Sequence, residues 1–216
     1  MNKSKQILRW FLYALGIVVL ALGLTLNTKT GLGTSPIISI SAAIAEIYNI
    51  NLGDVTFVEY SLIVVAEMIL HFLMKSKKEI YILDILQIPF SIVFTRFMNI
   101  FSSNIPYVTE YSMFIRIIVL IIAIIFTGVG AALTLRVKIV PNPADGLVQT
   151  IAQFTKKETG LIKNIFDFSC IALTIIFCLL FRKPIVGVGI GTIIAMILTG
   201  RVMAIFNKLV TIKFDT

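Results

Sequence analysis

Six stretches of this chain, roughly 8–27, 55–74, 80–101, 113–135, 161–181 and 185–206, are each about twenty residues long and almost wholly apolar. A helix rises about 1.5 Å per residue, so about 20 residues cross the roughly 30 Å hydrocarbon core of a bilayer. Lipid offers no partner to a backbone N–H or C=O, and a helix satisfies both within one segment. The expected fold is therefore an all-α polytopic membrane protein with six transmembrane helices, and the bilayer is its first partner. Composition agrees: 58% of the residues are apolar and 14% charged, against about 25% charged in soluble domains. The net charge of +8 then serves to orient the chain rather than to bind nucleic acid, which is not an expected partner.

Lys3, Lys5 and Arg9 precede the first run as in a secretory signal, but the run continues to Leu26 with no small-residue cleavage pattern after it. A retained first span is expected. Cys170 and Cys178 share one run and stand about 12 Å apart along a helix, too far for a disulfide. With one histidine and neither CxxC nor HExxH, no metal site and no cofactor are expected. The lack of a nucleophile–base pair argues against an enzyme.

Two stretches between spans are too short or too polar to cross: 34–48 and 141–156. Each opens with a capping residue followed by proline, Ser35-Pro36 and Asn142-Pro143, which predicts short Pro-capped helices. A shift of 107 residues superposes these pairs and also places Arg9 on Arg116, Gly23 on Gly130, Ala45 on Ala152 and Gly53 on Gly160. A shift of 105 places Arg96 on Arg201. The chain thus reads as two three-span repeats, 1–107 and 108–216, each with its short helix after the first span. Three is odd, so the second repeat enters the membrane inverted. With the N-terminus in the cytoplasm, 14 basic residues fall inside and four outside, and the equivalent loops 27–54 and 136–163 hold one and five. Both termini are then cytoplasmic. Were 34–48 and 141–156 to cross fully, the repeats would be parallel and the spans eight.

The segments GLGTSP (31–36), LQIPFSIVF (86–94), PNPADGLVQTIA (141–152), KNIFDFS (163–169) and GVGIGTIIAMILTG (187–200), with Gly53 opening a span, resemble the YczE/YyaS/YitT group of bacterial integral membrane proteins. The resemblance runs from about residue 8 to 207. It implies a multi-pass protein of the bacterial cytoplasmic membrane and no particular substrate. Where that group leads one to expect a PGEG-like pattern, this chain reads Asn142-Pro143-Ala144-Asp145-Gly146. The acid is kept in type on a shorter side chain.

Ionisable groups within spans are costly and mark candidate sites. Glu59, Glu67 and His71 share one helical face, with Glu67–His71 as a relay pair; Glu59 and His71 also read as anchors at the span ends. Asp167, with Asn164 and Lys163 before it, is a solute-binding or coupling carboxylate, or else an i,i+4 partner of Lys163. Asp84, beside Gln87, is expected to reach the inner surface. Arg96 and Arg201 sit at span ends and snorkel, or pair with an acid, Glu59 being the first candidate for Arg96. Thr34, Ser35, Asn142 and Asp145 open the two short helices, whose N-termini favour an anion or carbonyl. Short Pro-interrupted segments at equivalent places of two halves point to a transporter's binding site; surface-lying helices are the alternative. GVGIG lies in a span, so its small residues serve helix packing, and Trp10, Tyr107 and Tyr111 form an interfacial belt. The leading function is movement of a small polar or charged solute. The rival is a scaffold docking a cytoplasmic partner at 136–163, and a second copy of the chain is the other candidate partner.

Overall fold

The computed structural model describes residues 3–210. They form helices α1 (Lys3–Lys29), α2 (Ser39–Tyr48), α3 (Leu52–Leu73), α4 (Lys78–Asn104), α5 (Met113–Arg136), α6 (Pro143–Thr155), α7 (Thr159–Leu180) and α8 (Ile190–Leu209), with a 3-10 turn at Pro36–Ile38 leading into α2. Among the described residues there is no strand. Six helices, all but α2 and α6, are long and apolar enough to cross a membrane. With 10 and 13 residues, α2 and α6 fall short of a span. Both pack inside the bundle, α2 against α3 and α7, α6 against α3, α7 and the edge of α4.

The polarity pattern is that of a lipid-embedded bundle. Large apolar side chains such as Leu62, Ile69, Phe114, Leu173 and Ile176 face outward. The inner faces set small and hydroxyl residues among buried aromatics and aliphatics such as Tyr60, Phe94 and Leu120. Thr25, Thr56, Ser91, Thr127 and Thr174 are buried, and each returns its hydroxyl proton to the carbonyl four residues back. That bond satisfies the hydroxyl without a second helix and lets backbones approach closely.

The most extensive helix contact is between α1 and α5, which run antiparallel. A Cβ on Gly23 would lie 2.4 Å from Thr127 N, one on Gly130 2.4 Å from Leu20 N, and one on Gly16 2.9 Å from Thr134 Cγ2. The ends of this pair are clamped alike. Arg9 donates from Nε to Val137 O and from Nη2 to Lys138 O, both at 2.7 Å. Arg116 donates in the same way to Thr30 O at 2.9 Å and Gly31 O at 3.0 Å. Each guanidinium thus satisfies carbonyls at the C-terminal end of the opposite helix, which lack partners within it. Charge-assisted bonds of this kind contribute about 1.5–3 kcal/mol. Arg9→Ala and Arg116→Ala should therefore lower stability by about that much and by similar amounts, read as thermal midpoints in detergent. Unequal losses would mean that the two clamps are not equivalent.

Left-handed backbone closes the helices at Gly31, Asn49 and Lys75, and again 107 residues later at Lys138, Lys156 and Arg182. An aromatic ladder joins α1, α3 and α4, with ring centroids of Tyr60 and Phe94 5.6 Å apart, Phe94 and Phe90 5.9 Å, and Phe90 and Tyr13 6.1 Å.

Two local expectations need correction. Ser35 holds the cap position in extended conformation but makes no side-chain cap bond. The 3-10 turn tightens the helix start, and it is Ser39 Oγ that donates to Pro36 O. The sixth span begins at Ile190 rather than 185. Gly187 adopts φ +77°, and the 187–191 segment pairs its backbone with the 31–34 loop: Thr34 N to Gly187 O at 3.0 Å and Gly191 N to Leu32 O at 2.8 Å. GVGIG is thus for the most part a loop packed on a loop. Its small residues allow that approach, since a Cβ on Gly189 would meet Leu32 O at 2.4 Å.

Candidate functional site

The hairpin α3–α4 is closely packed, whereas α7 and α8 make almost no contact. The space between them is a cavity of about 890 Å³. The α6–α7 side carries Asn142, Asp145, Lys163, Asn164 and Asp167, the α8 side Thr199, Arg201 and Asn207, and Ser35 and Pro36 also line it. Five of the expected site residues, Ser35, Asn142, Asp145, Asn164 and Asp167, therefore line one space. Asn142 caps α6 as expected, its Oδ1 accepting from Ala144 N at 3.1 Å, while its Nδ2 donates to Tyr60 Oη at 3.3 Å. Asp145 is left facing the cavity rather than completing the cap. Lys163 Nζ donates to Asp167 Oδ1 at 2.7 Å, the expected i,i+4 pair.

Burial pushes the Asp145 carboxyl above its ordinary value of 3.8; Lys163 opposes the shift and Asp167 adds to it. A raised acid holds its proton in the folded state after the unfolded chain has lost it. Its contribution to stability is complete below 3.8 and is lost as pH rises through the raised folded value. Asp145→Asn is neutral throughout. Its thermal midpoint should match the native chain near pH 4 and exceed it by about 2–4 °C near pH 7, for each kcal/mol that the ionised acid costs. A gain that shrinks as pH rises contradicts this reading.

A second cavity, of about 640 Å³, opens at the other end of the bundle, where Lys29, Glu46, Asn99, Tyr107 and the 187–190 loop meet. Thr34 lines it, whereas Ser35 lines the first. The paired glycine loops line this second space, through residues 31–34 and 187–190. Thr34 Oγ1 is buried there without a hydrogen-bond partner.

Glu67 belongs to neither cavity. It is 3% exposed, with His71 at 6% and Asp84 at 2%. Gln87 Nε2 donates to Glu67 Oε2 at 2.9 Å, and Thr150 Oγ1 stands 3.0 Å from both Glu67 Oε1 and His71 Nε2. His71 Nδ1 lies 2.7 Å from Asp84 Oδ2. Asp84 therefore does not reach the membrane surface, and His71 is not a span-end anchor. Sequence reasoning grouped Glu67 with His71 because i and i+4 share a face. It missed Thr150 altogether and separated Asp84 and Gln87 from the pair, because these come from α6 and α4.

Glu59 is half-buried and accepts a short hydrogen bond from Ser41 Oγ of α2. The Arg96–Glu59 pairing is not made. Arg96 Nη1 reaches Asp54 Oδ1 at 3.1 Å, and Asn99 Nδ2 donates to the same oxygen at 2.9 Å. Asp54 lies in the first turn of α3 beside α4, while Glu59 faces α2.

A family model described as "Family of unknown function (DUF6198)" matches residues 7–208. The "Uncharacterized protein YyaS" of Bacillus subtilis (strain 168) is 26% identical over 207 residues, covering 96% of each chain. YyaS is thus the part of the expected resemblance that the comparisons carry. No solved structure matches.

Proposed function

The chain belongs to the DUF6198 family, and we propose that it carries a small polar or charged solute across the bacterial cytoplasmic membrane, at a site between two inverted three-span halves. The observation that carries this reading is the pair of cavities at opposite ends of the bundle, divided between consecutive residues Thr34 and Ser35. A pore would run open from end to end. Two vestibules with a thin barrier between them suit alternating access around a fixed site near short, interrupted helices. The open α7–α8 hairpin and the packed α3–α4 hairpin fit a carrier open to one side. The opposite asymmetry belongs to its other state.

Support for the inverted halves comes from contacts that exchange when residues are shifted by 107. Arg9 on Val137 and Lys138 becomes Arg116 on Thr30 and Gly31. Gly23 on Thr127 becomes Gly130 on Leu20. Self-complementary exchange of this kind is the mark of a two-fold relation. The bias of basic residues places both termini in the cytoplasm. This reading makes the protein a carrier rather than an enzyme.

The polar wall of Asp145, Asp167 and Lys163 would hold the solute's charged groups. The docking alternative has less to rest on, because Ala144, Leu147 and Val148 of the 136–163 segment lie inside the bundle and Lys163 is bonded to Asp167. The test is the thermal midpoint of the purified protein against a panel of small solutes from pH 5 to 8. A solute at 100 times its Kd adds about 2.7 kcal/mol. A panel without a single shift moves the weight to the docking reading.

A further inference from the structure

We propose that Glu67, His71 and Asp84 bind one divalent transition-metal ion, of the zinc, manganese or iron class, between α3, α4 and α6. This inference stands apart from the transport reading. One ligand atom from each residue lies within 4.8 Å of the others. Ligands at about 2.0–2.2 Å from one ion stand roughly 3–4.4 Å apart, so seating an ion draws in the widest pair and opens the His71 Nδ1–Asp84 Oδ2 pair from its 2.7 Å. One imidazole and two carboxylates form the nitrogen–oxygen donor set that suits such ions. Thiolates would favour copper(I), and oxygen alone would favour calcium or magnesium.

Three further observations point to a ligand rather than to a closed network. First, Gln87 is fully buried and its amide is turned onto Glu67, yet its Oε1 has no partner. That oxygen keeps its lone pairs free beside the cluster. Second, two carboxylates share a single imidazole here: Asp84 faces His71 Nδ1, while Glu67 has only Gln87 and Thr150 as hydrogen-bond partners. A divalent cation with a neutral imidazole brings two buried carboxylates to zero net charge, which a low-dielectric site favours. The ion takes the place of the proton shared by His71 Nδ1 and Asp84 Oδ2, and that proton leaves to solvent. Thr150, against His71 Nε2, then orients the ring from the outer shell.

Third, the packing does not require these groups. Shifting by 107 carries Glu67, His71 and Gly146 to Thr174, Cys178 and Ser39. There the same close helix contact is made by Ser39 Oγ and Thr174 Oγ1 at 2.7 Å, where Gly146 abuts the Glu67 carboxylate. Cys178 is fully buried, and Thr150 corresponds to Ala43. One half thus builds the junction from small hydroxyl and thiol residues, the other from an acid and an imidazole.

The test uses the full chain, free of any histidine tag, stripped with a chelator in detergent and titrated with zinc or manganese chloride. One ion per chain and a raised thermal midpoint are expected. Asp84→Asn should weaken binding more than about 100-fold, and Thr150→Ala by about 10–100-fold. Thr174→Val, in the other half, should bind like the native chain. Because the chain has one histidine, imidazole nitrogen coupling in the spectrum of bound copper(II) can come only from His71. This readout needs no variant to fold. Binding below a tenth of an ion per chain, or a copper spectrum without nitrogen coupling, overturns the proposal and leaves a proton-sharing network. Equal binding by a folded Asp84→Asn chain overturns it as well.

Discussion

Gly130→Ala is expected to lower stability by about 3 kcal/mol or more, and Gly130→Val to prevent the bundle from forming. The new Cβ would lie 2.4 Å from Leu20 N and 2.7 Å from Leu20 Cα. Both are backbone atoms, so no side-chain rotation relieves the clash and α1 must move away from α5. Overpacking in cores costs about 1–3 kcal/mol when side chains give way, and a clash on backbone falls at or beyond the upper end. For a chain of this size the thermal midpoint should drop by about 6–12 °C. Gly200 in α8 is the control, because a Cβ there meets nothing within 4 Å. Gly200→Ala should be neutral or stabilising by up to about 1 kcal/mol, since alanine favours a helix interior. If the two variants unfold at the same temperature, the α1–α5 contact is not the centre of the fold.

Asp167→Asn is expected to cut solute-dependent stabilisation at least by about half while leaving the fold intact. The carboxylate lines the cavity and holds Lys163 at 2.7 Å. Losing a charge-assisted bond to a bound solute costs about 1.5–3 kcal/mol, a roughly 10–150-fold loss of affinity. The cost to folding should be smaller, about 1 kcal/mol or less, because Lys163 is a third exposed and water screens the pair. The paired measurement is the midpoint with and without solute. A shift of undiminished size in Asp167→Asn means that the solute does not touch this carboxylate, and Asp145 becomes the next candidate.

The six spans were legible because a run of about twenty apolar residues has one stable use in lipid. The short helices were legible from Ser35-Pro36 and Asn142-Pro143, although only asparagine makes the capping bond. The start of α8 was not legible. Ile185 to Gly189 read as apolar helix, but Gly187 bends there and the segment spends its hydrogen bonds on Leu32 and Thr34. Of the cavity residues, Asn164 and Asp167 were found from the cost of polar groups within a span, and Ser35, Asn142 and Asp145 from the two short helices they open. That Asp145 and Asp167 share a cavity with Ser35 was not written in any local pattern.

The sequence by itself determined that the chain is a helical membrane bundle and that Glu67 and His71 share a face, because hydropathy and helical period act along a single segment. Only the tertiary structure decided that Arg96 meets Asp54 rather than Glu59, that Asp84 turns inward to His71, and that Thr150 joins Glu67 to that pair. Those partners come from different helices. Their meeting depends on how far each helix is rotated and raised against its neighbour, and that is set by glycine contacts such as Gly53 on Thr95 and Gly146 on Glu67, which sequence spacing does not encode.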